Sequence, residues 1–161
     1  MILADISALC TALPRHTRLF GLDLGEKTIG IAVSDPGLHV ATPVETIRRT
    51  KFTPDANELL RLIAERKVGG LVIGLPLNMD GSEGPRCQSV RQFAANLLKL
   101  QDLPIAFWDE RLSTVAVTRD MIDADLSRAK RAKAVDRAAA TFILQGALDF
   151  WQRQHRHVDQ R

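Results

Sequence analysis

The chain has 161 residues, of which 45% are hydrophobic and 25% are charged, and it contains no low-complexity tract. This composition excludes a disordered or fibrous protein, and the length fits a single domain with a sizeable core. The formal net charge of +3 permits nucleic-acid binding without requiring it. No stretch is long and apolar enough to span a membrane, and the N-terminus lacks the basic start of a signal peptide, so we expect a cytoplasmic protein.

The two cysteines, Cys10 and Cys87, are too few and too far apart for a disulfide framework or a metal knuckle. Both fall in segments with apolar periodicity. We therefore expect both to be buried as small hydrophobic side chains.

The first half of the chain predicts a helix followed by three strands. Apolar residues at helical spacing predict a packing helix within residues 1–16, before Pro14 ends the pattern. Two apolar runs, Arg18–Leu24 and Thr28–Ser34, predict strands joined by a tight turn at Gly25. Residues 38–47 predict a third strand, which Pro43 places near a sheet edge. Three short strands in succession indicate an antiparallel meander.

The second half alternates helices and strands. Thr53 and Pro54 predict the N-cap and first residue of a helix that continues to residue 67. Residues 70–74 predict a strand buried on both faces, Pro85 opens the next helix, and residues 104–108 form the last strand. Helical periodicity resumes at residue 113, and a final helix over 132–151 leaves a frayed polar tail at 152–161.

This order of elements predicts an α/β fold. Strands that alternate with helices imply right-handed crossovers and parallel pairing. We expect one domain over residues 1–161, with a mixed five-stranded sheet, an antiparallel meander followed by parallel strands, and helices on both faces.

Asp23 is the unusual residue of the opening hairpin. Aspartate is depleted in strands, and here it lies between Leu22 and Leu24 in a run that predicts a core strand. Such an acid must be satisfied by hydrogen bonds or held for a cation or a phosphate. The alternative is that Asp23 caps the turn by accepting from the amides after Gly25.

Two further acids are candidates for the same site. Glu110 directly follows the last predicted strand, at the sheet edge where the carboxyl ends of parallel strands gather, although it could be a solvated strand end. Asp136 heads a helical stripe with Ala140, Ile143 and Ala147, although it could be a helix cap. Three clustered carboxylates repel one another unless they share cations, and oxygen ligands suit Mg²⁺ or Mn²⁺. Two such ions can promote phosphodiester cleavage.

Four segments, at residues 21–35, 74–83, 108–114 and 135–140, together resemble the YqgF (RuvX-like) family. This is a family of proposed nucleases with the RNase H-like fold, related in fold to Holliday junction resolvases. The resemblance implies a catalytic, metal-binding triad of Asp23, Glu110 and Asp136, and a cytoplasmic role in processing the 5′ end of precursor 16S rRNA. Ribosomal particles are a further expected partner. Arg137 departs from the acid or small polar residue that some relatives carry.

Several polar and basic residues are predicted to bind nucleic acid. Basic side chains crowd the N-terminal end of the last helix, where the helix dipole disfavours cations and a bound phosphate would relieve the conflict. The loop over residues 78–84 has a composition that predicts flexibility and could cover a substrate backbone. A solvated basic segment and a simple crossover loop are the respective alternatives. The predicted nucleic-acid-binding residues are Lys27, Asn78, Arg111, Lys130, Arg131, Lys133 and Arg137.

Three other functions stay open at this point. An actin-like phosphotransferase would also use an Asp-x-Gly-x-Lys hairpin, but it needs two such domains and about twice this length. A non-catalytic nucleic-acid-binding or ribosome-associated module is a second alternative. A Holliday junction resolvase is the third, and its paired cuts would require a twofold dimer. Whether the chain is a monomer or a homodimer is open.

Overall fold

The computed structural model describes residues 1–112 and 128–159, and it describes side chains over residues 1–112 and 138–155. Five strands form one mixed sheet in the order β3-β2-β1-β4-β5. The β1–β2 and β2–β3 pairs are antiparallel, and the β1–β4 and β4–β5 pairs are parallel. The strands are β1 Arg18–Leu24, β2 Thr28–Ser34, β3 Ala41–Arg48, β4 Val68–Leu75 and β5 Ile105–Asp109. The predicted mixed sheet, a meander followed by parallel strands, is confirmed.

Details of the strands follow from their composition. Both strands of the opening hairpin have the predicted bounds, because turn residues end each apolar run. Every residue of β4 is buried, as the continuous apolar run predicts for a parallel strand covered on both faces. β3 lies at the sheet edge, where Pro43 pairs with Ala32 beside a shift in register.

Helices cover both faces of the sheet. One face packs against α2 (Phe52–Glu65) and α3 (Pro85–Leu100), and the other packs against α1 (Ile6–Ala12) and the long α4 (Arg128–Asp159). Both cysteines are buried in these layers, as predicted. Burial raises the pKa of the Cys10 thiol to about 12. Within the described residues, no helix is long and apolar enough to cross a membrane.

The direction of α4 follows from two contacts, one at the middle of β1 and one beside its start. A Cβ added to Gly21 would lie 2.6 Å from the Leu144 Cβ, so α4 packs directly on the backbone of β1 there. Further along α4, the Gln152 side chain donates to the carbonyl of Leu38 (2.8 Å), in the turn that follows β2. That turn lies beside the start of β1, because β1 and β2 are antiparallel. The first turns of α4 therefore extend toward the carboxyl end of β1.

The N-terminal prediction was wrong for the first residues. Residues 1–3 are extended along β5, where the Leu3 amide donates to the Ile105 carbonyl and the Ile105 amide donates to the Met1 carbonyl. The helix begins only at Ile6, because the Asp5 side chain accepts from the Ala8 amide and forms the N-cap. Pairing with the exposed edge of β5 replaces the first turn of the predicted helix.

Both ends of α2 and of α4 also differ from the predicted bounds. α2 begins at Phe52 rather than after Thr53, since the Asp55 carboxylate accepts from the Thr50 amide and hydroxyl and closes the first turn. α4 continues to Asp159, beyond the predicted end at residue 151. The bonds from Gln152 to the turn after β2 hold this extension against the sheet. The helix predicted from residue 113 lies outside the described residues as far as residue 127.

Candidate active site

Asp23 lies near the end of β1 and faces α4. Leu22 and Leu24, its neighbours, pack in the core cluster beneath α2 and α3. Side chains alternate along a strand, so Asp23 points to the other face, as Gly21 does where it meets α4. Only 2% of Asp23 is exposed. A carboxylate buried to this extent is costly unless hydrogen bonds or a cation compensate it.

The hairpin turn beside Asp23 has backbone partners of its own. The Gly25 amide donates to the Thr28 carbonyl (2.9 Å). The guanidinium of Arg49 donates to the Gly25 carbonyl (2.6 Å). Two hydrogen bonds at Gly25 therefore stabilise the turn that follows Asp23.

Glu110 begins a short 3₁₀ turn, Glu110–Leu112, directly after β5. A Cβ added to Gly74 would lie 2.7 Å from Glu110 Oε1 and 2.5 Å from Ile143 Cδ1. The Glu110 carboxylate therefore lies over the backbone of β4, on the side of the sheet that α4 covers. Only glycine at position 74 leaves room for both contacts.

The sheet register brings Asp23 and Glu110 to the two sides of Gly74. Leu22 is paired with Ile73, so one further residue along the parallel strands sets Asp23 beside Gly74. The Glu110 carboxylate covers the same glycine. Both acids lie at the carboxyl edge of the sheet and on its α4 face. Two of the three predicted catalytic residues are thus gathered on one small area.

Asp136 is in α4, but its side chain lies outside the described part of the chain. Ala140, Ile143 and Ala147, which share its predicted face of the helix, are fully buried against the sheet. Residue 136 lies one helical turn, about 6 Å, before Ala140. The helix direction takes it toward the end of β1 that carries Asp23. Its membership of the triad stays a prediction.

The donor chemistry of this site fits a hard cation. Asp23 and Glu110 offer oxygen ligands only, which suit Mg²⁺ or Mn²⁺ better than softer metals. Among the residues whose side chains are described, no group of three His, Cys, Asp or Glu could hold a metal ion. Asp136 is not among those residues, and it is the acid that the prediction adds as the third ligand.

Arg111 connects two loops at this edge. Its Nη2 donates to Asp109 Oδ2 (2.7 Å), and its Nη1 donates to the Met79 carbonyl (3.2 Å). The hydrogen bonds from Arg111 hold the pKa of the Asp109 carboxyl below its ordinary value, and the same pairing raises the pKa of Arg111. Arg111, predicted to bind nucleic acid, acts in this structure as a clamp between the end of β5 and the loop after β4.

The loop after β4, whose composition predicts flexibility, contains several hydrogen bonds of its own. The Asn78 amide donates to the Ser82 carbonyl (2.9 Å), and the Gly81 amide donates to the Asn78 carbonyl (2.9 Å). The Asp80 carboxylate accepts from the Ser82 amide (2.9 Å). Together with these internal bonds, the contact from Arg111 to the Met79 carbonyl joins the loop to the end of β5. The Asn78 side chain itself donates to the Ser82 hydroxyl (3.0 Å).

The other predicted nucleic-acid-binding residues are only partly described. Lys27 is exposed on the hairpin turn at the same sheet edge. The side chains of the remaining four, Lys130, Arg131, Lys133 and Arg137, lie outside the described residues.

Gly74 and Arg49 were not predicted as site residues. Gly74 leaves room for the Glu110 carboxylate, and Arg49 donates to the turn that follows Asp23. A glycine at the end of a buried strand is a signal for close approach of another group, and it could have drawn attention to Gly74. Arg49 carries no comparable signal, because its contact with Gly25 joins residues that are distant in sequence.

Comparison with known proteins agrees with this fold. The RuvX family profile, described as "Holliday junction resolvase", matches residues 17–150. The chain belongs to the RuvX family. The resemblance inferred from the four sequence segments is thereby confirmed.

Relatives in this family are close in sequence. A protein of Paramagnetospirillum magneticum is 63% identical over 141 residues, which cover 88% of this chain and 91% of the relative. A protein of Bradyrhizobium is 65% identical over 136 residues, which cover 84% of each. Both carry the name "Putative pre-16S rRNA nuclease". The RuvX family thus includes proteins named as nucleases.

Solved structures share the fold at low sequence identity. RuvC of T. thermophilus in complex with a Holliday junction substrate has a TM-score of 0.53 at 9% identity, over 86% of this chain and 96% of that one. The yeast mitochondrial resolvase Ydc2 has a TM-score of 0.50 at 14% identity, over 92% and 84% of the two chains. This likeness confirms the predicted RNase H-like fold class.

Proposed function

We propose that this RuvX-family chain is a divalent-metal-dependent nuclease that processes the 5′ end of precursor 16S rRNA. The observation that carries the proposal is the convergence of Asp23 and Glu110 on Gly74, at the carboxyl edge of the sheet. The names of its close relatives support the choice of substrate. Because precursor rRNA is made and trimmed on assembling ribosomal particles, we propose cytoplasmic action with those particles as partners.

The proposed catalytic site is made of Asp23, Glu110 and Asp136, which would hold Mg²⁺ or Mn²⁺. Such ions, when bound, activate water and stabilise the leaving oxygen of a phosphodiester. Asp23 is fixed by its buried strand, and Glu110 is fixed by the short turn after β5. Rigid strand ends keep both carboxylates in place before the substrate arrives, which is the preorganisation that catalysis requires.

The basic and polar residues around the site have a separate task. Phosphate contacts fix the register and orientation of a nucleic acid, while the acids act at one bond. We propose this positioning role for Lys27, Asn78, Lys130, Arg131, Lys133 and Arg137. Arg111 would act by holding the loop after β4 against Asp109.

The test is a cleavage assay with precursor rRNA, single-stranded RNA and junction DNA, in Mg²⁺, in Mn²⁺ and in EDTA. Glu110→Gln keeps the size of the side chain but removes the charge that holds a cation. We expect cleavage to fall by several orders of magnitude and binding to survive, because binding depends on basic residues and loop amides. Glu65→Gln, on the exposed surface of α2, is the matched control and should cleave at the parent rate.

Two results would contradict the assignment. Full cleavage by Glu110→Gln, together with loss of cleavage in Asp23→Asn, would make Asp109 the next acid to test. RNA binding by the parent with no cleavage of any substrate in either metal would instead indicate a non-catalytic binding module.

Holliday junction resolution is the second candidate, favoured by the family description and by the likeness to RuvC. Paired symmetric cuts need two active sites related by a twofold axis. Light scattering and mapping of the cuts on a junction test this candidate, since a resolvase should be a dimer and should cut two strands of a junction symmetrically. A monomer, or a dimer that makes no symmetric cuts, would contradict it.

A further inference from the structure

A cleft of about 200 Å³ lies at the carboxyl edge of the sheet, between the β1–β2 turn and the start of α3. We call it the hairpin cleft. Its floor is apolar and includes Leu24 and Phe93, which are buried in the core. Its polar lining comes from Gly25, Glu26, Arg49, Arg86 and Ser89. The cleft therefore combines two arginines and a hydroxyl with an apolar base.

Arg49 is held in the cleft before any ligand arrives. One of its N–H groups donates to the Gly25 carbonyl (2.6 Å), and its guanidinium lies 5.7 Å from the centre of the Phe93 ring. In the described part of the chain, its other N–H donors have no carboxylate partner. A guanidinium fixed in this way loses little entropy when it binds a phosphate.

The surroundings of the cleft are basic. The exposed side chains of Lys27, Arg48, Lys51 and Arg86 lie on the turn, at the end of β3, before α2 and at the start of α3. None of these four makes an ion pair within the described residues. By contrast, three arginines elsewhere each pair with a carboxylate at 2.6 to 2.7 Å, namely Arg61, Arg91 and Arg111.

The acids at this place do not cancel the positive charge. Glu26 is exposed on the turn and is the acid that lines the cleft. Asp55 is nearby in α2, but it is buried and accepts hydrogen bonds from Thr50. A cleft with an excess of one sign of charge focuses the field and attracts the opposite charge. The matching ligand is a phosphate group.

The location relates the cleft to the proposed catalytic site. Gly25 follows Asp23 by two residues, about 7 Å along an extended strand. Asp23 faces α4, whereas the cleft opens on the α3 side of the same edge. A nucleic-acid strand that passes over the hairpin turn would bring one phosphate to the acids and another, a few nucleotides away, to the cleft.

We infer that the hairpin cleft is a subsite for a backbone phosphate of the nucleic-acid substrate, bound by Arg49 and Arg86 with the Ser89 hydroxyl. The inference rests on the proposed nuclease function and specifies one contact by which the protein would bind its substrate. The cleft positions the strand and takes no part in bond cleavage.

The experiment measures the affinity for a single-stranded oligonucleotide in EDTA over a range of salt concentrations. For Arg86→Gln, we expect weaker binding and a salt slope smaller by up to about 0.7, the full contribution of one phosphate on a single strand, because Arg49 still faces the same phosphate. Arg86→Lys keeps the charge and should keep the slope. Lys99→Gln, exposed near the other end of the same helix, is the matched control and should behave as the parent.

A second measurement places the contact on the substrate. Methylphosphonate groups, which are neutral, replace single phosphates along the oligonucleotide. The parent should lose affinity at the position that enters the cleft, and Arg86→Gln should lose less at that position, because only Arg49 and Ser89 still contact the phosphate there. Equal losses for parent and variant at every position would overturn the subsite.

The outcomes separate the two proposals. If the parent binds and Arg86→Gln has the same salt slope as Lys99→Gln, the subsite is wrong and the nuclease proposal stands. If the parent binds no nucleic acid even at low salt, both proposals fail. Thermal melting of each variant confirms that the exposed substitution leaves the fold intact.

Discussion

At the scale of single residues, Gly74 matters as much as the acids around it. Its missing side chain lets Glu110 approach β4 from one direction and Ile143 of α4 from another. Any larger residue would have to displace one of them, because an added Cβ would lie 2.7 Å or less from each. The position of a predicted catalytic carboxylate thus depends on a residue that has no side-chain functional group.

Gly74→Ala is expected to lower both stability and cleavage. The new methyl group would meet the ends of two side chains, which can shift, so we expect a cost near the lower end of overpacking, about 1 kcal/mol in the free energy of unfolding. Displacement of Glu110 by about 1 Å would lower the cleavage rate roughly 10²-fold. The measurement is the single-turnover cleavage rate of the folded variant, together with its thermal melting.

Gly70→Ala is the control for this prediction. Gly70 is on the same strand, and an added Cβ would lie 3.0 Å from the side chains of Leu9 and Leu13, far from Glu110. It should reduce stability without reducing the cleavage rate of the folded protein. Equal cleavage by Gly74→Ala and Gly70→Ala would mean that Glu110 does not need its present position.

At the scale of elements, the turn between β2 and β3 depends on one carboxylate. Asp35 Oδ1 accepts from the His39 amide (2.7 Å) and from the Val40 amide (2.9 Å). Partial burial raises the pKa of Asp35, but the amides of Val40 and His39 lower it, and the net pKa is below the ordinary value. The charged form of Asp35 therefore stabilises the folded chain.

Asp35→Ala should reduce the free energy of unfolding at pH 7 by about 1 kcal/mol, a low value for a charged acceptor because the side chain is 41% exposed. A group with a lowered folded pKa stabilises above its unfolded pKa, about 3.9, and this stabilisation is lost as the pH falls through the folded value. The difference between parent and variant should therefore shrink below about pH 4. Denaturant unfolding of the parent and of Asp35→Ala from pH 7 to pH 3 measures this difference in the free energy of unfolding.

Asp35→Asn separates the charge from the hydrogen bonds. The amide oxygen still accepts from the backbone, so part of the stability should return, but the difference from Asp35→Ala should not vary with pH. A constant gap between the parent and Asp35→Ala over the whole range would show that the ionised carboxylate contributes nothing.

At the scale of the whole molecule, charge distribution matters more than the net charge of +3. The hairpin turn, the end of β3, the start of α3 and the first turns of α4 all lie at or run toward the carboxyl edge of the sheet. Basic residues occur in each of these segments. A modest overall charge can therefore coexist with a strongly basic rim around the predicted acids.

Changing Lys130, Arg131 and Lys133 together to alanine should weaken nucleic-acid binding and reduce its salt slope by up to about 2, because fewer counterions are released. Their side chains lie outside the described residues, so this prediction rests on the sequence and on the direction of α4. A control triple variant, with alanine at Arg15, Lys99 and Arg153, removes equal charge from exposed positions elsewhere. Equal salt slopes in the two triple variants would show that the three α4 residues are solvated and do not bind the nucleic acid.

Local chemistry allowed much of this molecule to be predicted from its sequence. The hairpin strands have the predicted bounds, because turn residues interrupt apolar runs within a few positions of each other. Asp23 attracted attention for a similar local reason, since an acid inside a buried strand is anomalous whatever surrounds it. Glu110 was placed at the right edge of the sheet because it directly follows a strand that runs parallel to its neighbour.

Tertiary structure decided the features that join distant parts of the chain. The first residues look helical by their spacing, but they pair with β5, because an open strand edge offers hydrogen bonds that a frayed first turn does not. The approach of Glu110 to Gly74 and the bond from Arg49 to Gly25 likewise need the sheet to be assembled first. No local sequence pattern encodes such contacts, because each one forms between a backbone segment and a side chain that only the folded sheet brings together.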